Sequence, residues 1–540
     1  MPRTPPRPPA RPRPTVAVVG GGIAGLAAAW QLTGGSAGPG PDSPEVVVLE
    51  AAGRLGGKLR TVTIGDVQVD VGPDAFLGRR PEAVELCAEL GLGPEMAPIA
   101  AAGAQVWARG RRRTLPDGLV MGVPTRFWPL ARSGVLSVRA DLRVLVDVVF
   151  PRPDVRGPIG DRAVGPLIAH KLGRSVVDML VDPLIGGINA GGVADMSTAA
   201  VFPLLLAVAQ RRASFMKSLR RAAGRTPGTP GRSAGPAPAD ATDDGGNTDD
   251  EGDEGTRPGG AEPPMFWALR GGLSSLVDRL EAALVARGVT IRTVSPVEVL
   301  DRADGPVEVL DRADGPAPWV LHTAAGPLSA DAVVLALPAG AAARLLGPHD
   351  TDAATLLGGI DYASVGIVTL SYPEDAAAAA LTGTGLLVPH KTPSPPGLGD
   401  PLLVTACSYL SSKWPYLAGA GELLVRASVG RFGDTRFESM PDDELAARVA
   451  GELETLVGLK GAPTRSMVTR WPSSFPQYRV HHLLRVAGIE AAVKRLPALA
   501  VAGAAYRGVG IPACVASGRA AARAVLESLA VAPDTAGPPT

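Results

Sequence analysis

Residues 20–25 read Gly-Gly-Gly-Ile-Ala-Gly. This G-x-G-x-x-G turn sits directly after the apolar run Val16, Ala17, Val18, Val19 and opens into the helix-forming run 26–32. Few other patterns constrain a fold as tightly. Gly20 permits the tight turn, Gly22 lets the backbone approach a pyrophosphate, and Gly25 lets helix and strand pack closely. Ile23 and Ala24 fall in the first helical turn, whose unpaired N–H groups attract phosphate. A loop rich in Gly, Ser and Pro (34–44) leads to a second apolar strand, 46–49, which ends at Glu50. There a carboxylate can accept hydrogen bonds from ribose hydroxyls. The strand–helix–strand pattern predicts a Rossmann-like dinucleotide domain.

The remaining composition narrows the class. A chain of 540 residues has room for roughly two to four domains. Its 53 basic residues balance 53 acidic ones, so no basic field points to nucleic acid. Cys87, Cys407 and Cys514 are widely spaced and form no C-x-x-C pair. This predicts a reducing compartment without a disulfide framework. The histidines form no H-E-x-x-H arrangement, so no metal site is expected. No apolar run approaches the roughly 18 residues of a membrane span. The Pro- and Arg-rich residues 1–14 lack the apolar stretch of a secretory signal. A cytoplasmic protein is expected.

Along the chain, residues 15–80, 265–345 and 495–530 are expected to assemble one discontinuous dinucleotide domain. Residues 81–221 read as a mostly helical lobe and 346–494 as a sheet with helices. Within them, 331–338 reads as a buried strand, 365–371, 402–409 and 422–429 as a sheet, and 514–529 as a closing helix. Residues 222–264 are dense in Gly, Pro, Ser, Thr and Asp, with eight acidic residues from Asp240 to Glu254. Such a segment cannot bury enough apolar surface to offset its ordering entropy and reads as a disordered acidic linker. Residues 1–14 and 531–540 read as disordered tails. The ten residues 296–305 recur at once as 306–315. Two copies make no solenoid, and a tandem duplication in a hairpin loop is expected.

After Glu50 and Ala51 comes Arg54-Leu55-Gly56-Gly57-Lys58. This E-x-x-x-R-x-G-G extension resembles a large flavoprotein group that includes amine oxidases, phytoene desaturases and protoporphyrinogen oxidases. The resemblance implies FAD, with Arg54, Gly57 and Lys58 along its phosphates. It also implies an α/β fold: a Rossmann-like FAD-binding domain beside a mixed α+β substrate domain, in the two-lobed amine-oxidase architecture. Further segments resemble the porphyrinogen oxidase branch. Asp70-Val71-Gly72-Pro73-Asp74-Ala75-Phe76 resembles its D-x-G-P-[DE]-x-F segment, and 183–191 (PLIGGINAG) its P-x-x-x-G-I-x-A-G segment, with Asn189 where tyrosine is frequent. Arg270-Gly271-Gly272-Leu273 resembles its P-G-G-L motif, with arginine replacing proline. Trp471 with Pro476-Gln477-Tyr478 resembles W-x-x-x-x-P-Q-Y, although Val480 stands where glycine often precedes the histidine, here His481. Residues 503–512 (GAAYRGVGIP) resemble the closing flavin motif.

The resemblance thus places Gly72, Pro73, Asp74 and Ala75 at the flavin, Val297 at the adenine, Trp471 near the isoalloxazine, and Gly503, Val509, Gly510 and Ile511 at the closing turn. Cys514 lies after the wrong motif for covalent attachment, so the FAD is expected to be non-covalent. The implied activity is six-electron oxidation of a porphyrinogen in haem biosynthesis, with molecular oxygen as acceptor and peroxide as product. The Arg-, Ala-, Gly- and Pro-rich composition is that of a high-GC genome. Similar oxidases of high-GC Gram-positive bacteria act on coproporphyrinogen III, which makes it the first choice of substrate. Protoporphyrinogen IX, another amine oxidase or desaturase activity, and a non-enzymatic FAD-binding role stay open. Arg60 is the candidate catalytic-site residue, either as partner for a substrate carboxylate or close to the flavin. The resemblance also leaves room for a transient contact with a downstream chelatase or the membrane surface.

Overall fold

A computed structural model describes residues 13–150, 160–209, 211, 213–225, 264–302, 318–391, 393–398, 401–418 and 421–531. The expected tails at 1–14 and 531–540, the acidic stretch and the second copy of the duplication lie wholly or almost wholly outside them.

The strand Thr15–Val19 is buried along its whole length. A strand covered on both faces needs apolar residues at every position, which is why it reads as a continuous run. It is central to a five-stranded parallel sheet in the order Thr290–Arg292, Glu45–Leu49, Thr15–Val19, Ala332–Leu335, Leu499–Val501. On one face lie the helices Ile23–Leu32, Pro81–Glu89, Ser274–Ala286 and Ile511–Val531. The last of these lies against the first at a small-residue crossing. A Cβ on Gly518 would fall 2.0 Å from the Ala24 carbonyl oxygen. Glu89 adds a polar tie, accepting from Trp30 Nε1 and Arg519 Nη2, each at 2.7 Å. The other face packs against an antiparallel three-stranded sheet and the helices Ala339–Leu346, Thr351–Gly358 and His482–Val493.

A seven-stranded sheet forms the second unit, in the order Arg465–Pro476, Tyr362–Pro373, Glu422–Val429, Val404–Tyr409, Gly385–Leu387, Gln105–Ala108, Arg111–Thr114. The helix Asp442–Val457 covers one of its faces. A helical lobe built from segments between Phe127 and Arg225 has its own apolar core. It contains a ten-residue π-helix, Val177–Gly186, with Pro183 inside it.

Two readings change. The stretch 96–124, read as part of the helical region, instead forms short strands: Met96–Pro98, Gln105–Ala108, Arg111–Thr114, Leu119–Val120 and Val123–Pro124. Arg109 and Gly110 both take positive φ, at 54° and 74°, and turn a hairpin. The tightest hairpin turns require that conformation. The following arginines line the sheet edge, where charge discourages further pairing. The strand's other partner, Leu386–Leu387, is too distant in sequence for local pattern to announce. In addition, the helix Phe215–Arg225 runs four residues into the stretch read as linker. In the first copy of the duplication, Val297–Arg302 is a strand paired with Trp319–Thr323.

Candidate functional site

The parallel strands all point their carboxyl ends the same way, and three of them lead into residues singled out in the sequence: Gly20 follows the first strand, Glu50 the second, and Gly503 follows Val501. Ligands of open α/β sheets bind at this edge.

Gly20 has φ 108°, and a Cβ there would lie 2.4 Å from the Ala336 carbonyl oxygen. A Cβ on Gly25 would lie 1.9 Å from the Gly20 carbonyl oxygen. The chain cannot make this turn with larger residues. Gly22 differs: a Cβ there would meet nothing within 4 Å. It faces open space at the start of the helix Ile23–Leu32, whose first amides, including those of Ile23 and Ala24, lack intrahelical acceptors. Gly503 also faces open space. These two openings, with unpaired amides at a helix N-terminus, fit a dinucleotide laid across the sheet edge.

The Glu50 carboxylate accepts from Gly21 N–H at 2.7 Å and from Ala52 N–H at 2.8 Å, which holds it beside the turn. Ala51 is exposed next to it. Ser295 N–H donates to the Glu50 carbonyl at 2.8 Å, bringing Val297 to the same corner. Arg54 acts as a clasp. Its guanidinium donates to the carbonyls of Leu55, Leu59 and Gly57 at 3.0, 3.2 and 2.5 Å. The loop so closed places Gly57 against Gly22. Lys58 has an accessible side chain, yet desolvation by the surrounding protein lowers its ammonium pKa. Arg60 is exposed, and its carbonyl accepts from Val71 N–H at 2.9 Å.

The 70–75 segment is gripped from the second sheet. Arg426, in the strand Glu422–Val429, donates through Nη1 to the carbonyls of Asp70 and Gly72, both at 3.0 Å. Trp471 Nε1 donates to the Val71 carbonyl at 2.8 Å. The Asp74 carboxylate faces Lys413 at 2.7 Å and Arg426 at 3.2 Å, with Trp414 Nε1 at 3.4 Å. Burial alone would raise its pKa, but Arg426 and Lys413 outweigh burial and hold it well below the usual carboxylate range. The Asp74 side chain therefore anchors the turn. Pro73 and Ala75 are half-buried beside it. Asp70 accepts from Thr61 Oγ1 at 2.6 Å and Leu273 N–H at 2.9 Å, and burial pushes its pKa up to about 6. Sequence reading missed Arg426, Lys413 and Trp414. The one signal was a charged residue inside the apolar strand 422–429.

Tyr478 and His482 hold the closing turn. Tyr478 Oη donates to the Ala504 carbonyl at 2.5 Å and accepts from Gly508 N–H at 2.8 Å. The turn delivers Val509 and Gly510 to the start of the helix Ile511–Val531. Cys514 is buried in its first turn, and that burial pushes its thiol pKa up to about 11. His481 is exposed at φ 72°, and its N–H donates to Asp161 at 2.7 Å.

Above the sheet, Asn189 turns inward and donates to the Ile185 carbonyl at 2.8 Å. Ala190, Ala363 and Val365 form a small apolar cluster with Phe432, Trp471 and Phe475, between helical lobe and sheet. Arg431 ties the π-helix to this wall through Asp182 at 3.3 Å and the Gly191 carbonyl at 3.0 Å. Among the described residues, no group of three or more His, Cys, Asp or Glu could hold a metal, and no helix is long and apolar enough to cross a membrane.

Comparison with known proteins accounts for this arrangement. The pattern of the flavin containing amine oxidoreductases matches residues 23–526. The coproporphyrinogen III oxidase of Propionibacterium freudenreichii subsp. freudenreichii is 34% identical over 531 residues, 96% of this chain and 92% of that protein. The bovine protoporphyrinogen oxidase is 30% identical, over 95% and 98% of the two chains. A solved structure from Exiguobacterium sp. 255-15, provisionally named a protoporphyrinogen oxidase, superposes with a TM-score of 0.76 at 28% identity, over 95% and 99%. Cyclohexylamine oxidase from Brevibacterium oxydans IH-35A shares the fold, with a TM-score of 0.59 at 17% identity, over 96% and 100%. The G-x-G-x-x-G turn, its clasped arginine loop and these near-full-length matches together mean that the chain belongs to the flavin containing amine oxidoreductase family.

Proposed function

We propose that this FAD-dependent oxidoreductase converts coproporphyrinogen III to coproporphyrin III in haem biosynthesis. The observation that carries the reading is the set of coproporphyrinogen III oxidases, 27 to 34% identical, that match the chain nearly end to end. FAD, when bound, supplies the redox chemistry by accepting two electrons and a proton as hydride. The chain binds and orients. Gly20, Gly22 and Gly25 with the amides of Ile23 and Ala24 receive the pyrophosphate. Glu50 and Ala51 meet the ribose, and Val297 the adenine. Arg54, Gly57 and Lys58 line the phosphate path. The backbone at 72–75, Trp471 and the turn through Gly503, Val509, Gly510 and Ile511 surround the ring system. The wall at Ala190, Ala363 and Val365 excludes water from the substrate face, and Arg60 pairs with a substrate propionate. Each turnover removes a hydride from a meso carbon and a proton from a pyrrole nitrogen, which water accepts. Three turnovers remove six electrons. Three molecules of oxygen take them up, giving three of hydrogen peroxide. The reaction is placed in the cytoplasm, with any contact with a chelatase or the membrane surface transient.

Protoporphyrinogen IX is the second reading, favoured by the bovine relative. The test is to give purified holoprotein each porphyrinogen and follow porphyrin fluorescence and peroxide, with and without oxygen. A higher kcat/KM for coproporphyrinogen III is expected. Equal efficiency would remove the substrate preference, and no porphyrin from either, with FAD bound and reducible by dithionite, would overturn the reading.

A further inference from the structure

Tyr478 and His482 are buried, at 6% and 3% exposure, yet each presents a polar atom to the same backbone turn. Tyr478 Oη is both donor and acceptor there, spanning Ala504 and Gly508. The two rings stack, with centroids 3.9 Å apart and planes 14° apart. His482 Nε2 lies 2.8 Å from the Tyr506 carbonyl oxygen. A carbonyl can only accept, so Nε2 carries the hydrogen. Three consecutive even positions of the turn, 504, 506 and 508, are thus fixed from one side by one stacked pair. Gly503 and Gly508 have φ of 124° and 147°, where the chain has little conformational preference of its own. The pair shapes the turn together with Ser517 Oγ, which accepts from Gly503 N–H at 3.0 Å, and with Glu490, which accepts from the Arg507 guanidinium at 2.8 and 2.6 Å.

The same short segment reaches into the helical lobe. Ser197 N–H donates to the Tyr478 carbonyl at 2.7 Å, and Val480 N–H to the Asp195 carbonyl at 3.0 Å. Asp161 accepts from His481 N–H and Ser197 Oγ, each at 2.7 Å. The segment 478–482 therefore touches the helical lobe with its backbone and the closing turn with the side chains of Tyr478 and His482.

We propose that Tyr478 and His482 are positioning residues for FAD: they hold the 503–510 turn, and hence the start of the helix Ile511–Val531, in the shape that receives the flavin. The inference rests on the FAD assignment and not on the choice of porphyrinogen. Tyr478→Phe removes both hydrogen bonds and keeps the stacked ring. His482→Leu removes the N–H donor, whereas His482→Gln keeps one.

The experiment titrates FAD into apoprotein and reads flavin fluorescence quenching and the visible flavin spectrum, with the melting of each apoprotein as the control for folding. Tyr478→Phe and His482→Leu are expected to weaken FAD binding by about tenfold or more, as loss of buried hydrogen bonds predicts, and to shift the flavin absorbance bands. His482→Gln should bind within about threefold of the parent. A Tyr478→Phe apoprotein that melts normally and binds FAD within twofold of the parent would overturn the proposal. Should Tyr478→Phe not fold, the histidine pair decides: equal FAD affinity for His482→Leu, His482→Gln and the parent overturns it. No porphyrinogen enters these measurements, so their outcome is independent of the substrate reading.

Discussion

Replacing Asp74 with asparagine should destabilise the protein more than any other isosteric change around the site. The carboxylate is the shared counter-ion of Lys413, at 2.7 Å, and Arg426, at 3.2 Å, and the three side chains are only 10 to 13% exposed. An amide would offer an oxygen to one cation and N–H groups to the other, leaving two buried positive charges unneutralised. Removing one partner from such a network costs about 3–5 kcal/mol. Lys413→Met alone should cost less, about 1.5–3 kcal/mol, because Arg426 still neutralises Asp74 and one charge-assisted bond is lost. The double variant should then be more stable than Asp74→Asn, since it carries one buried excess charge rather than two. Urea unfolding of the four proteins at pH 7 measures this cycle through tryptophan fluorescence. Trp414, 3.4 Å from Asp74, helps report the transition. A loss under about 1 kcal/mol for Asp74→Asn, or a double variant less stable than that single one, would refute the electrostatic reasoning.

Gly22→Asp should fold and lose FAD, because its side chain enters open space and puts negative charge in the pyrophosphate path; a flavin-replete, folded variant would count against the site. Arg60→Ala should lower kcat/KM by about one to two orders of magnitude with flavin content unchanged, from the loss of one charge-assisted contact of about 1.5–3 kcal/mol; normal kinetics would remove Arg60 from the substrate face. Asp70 has its pKa raised by burial from 3.8 to about 6. Its folded-state carboxyl holds a proton that the unfolded chain has released, so its contribution to stability is full below pH 4 and falls as pH rises to about 6. Asp70→Asn should lose that dependence while the amide oxygen still accepts from Thr61 and Leu273; an unchanged stability–pH curve over this window would sink the assignment.

How much of this was legible in the chain depends on how locally each part is encoded. The turn at Gly20 to Gly25 is written in steric terms, because two of its glycines would clash with backbone if they carried a Cβ. Glu50 could be read because a strand end fixes where its carboxylate must be. The arginine at 54 was expected along the FAD phosphates. Its bonding to three carbonyls of its own loop could not be foreseen, since sequence cannot distinguish a clasp from a ligand contact. Asp74 was placed at the site by its motif, but its ion pairs come from residues more than 300 positions later, and nothing near it announces them. The hairpin at Arg109 and Gly110 was missed for a related reason. Its strand is stabilised by a parallel pairing to Leu386 and Leu387, which no local periodicity can show.

The crossing of Gly518 over Ala24 has a consequence for biogenesis. The first strand and helix emerge early from the ribosome, but the edge strand Leu499–Val501 of the same sheet and the helix that packs on the first helix come more than 460 residues later. At a synthesis rate of about 5–20 residues per second, that gap lasts roughly 25–90 s. During it the helix Ile23–Leu32 lacks the helix that covers it, and the domain has no closing turn. An FAD site that needs the closing turn would load only after that interval, which is when a chaperone would have most to hold.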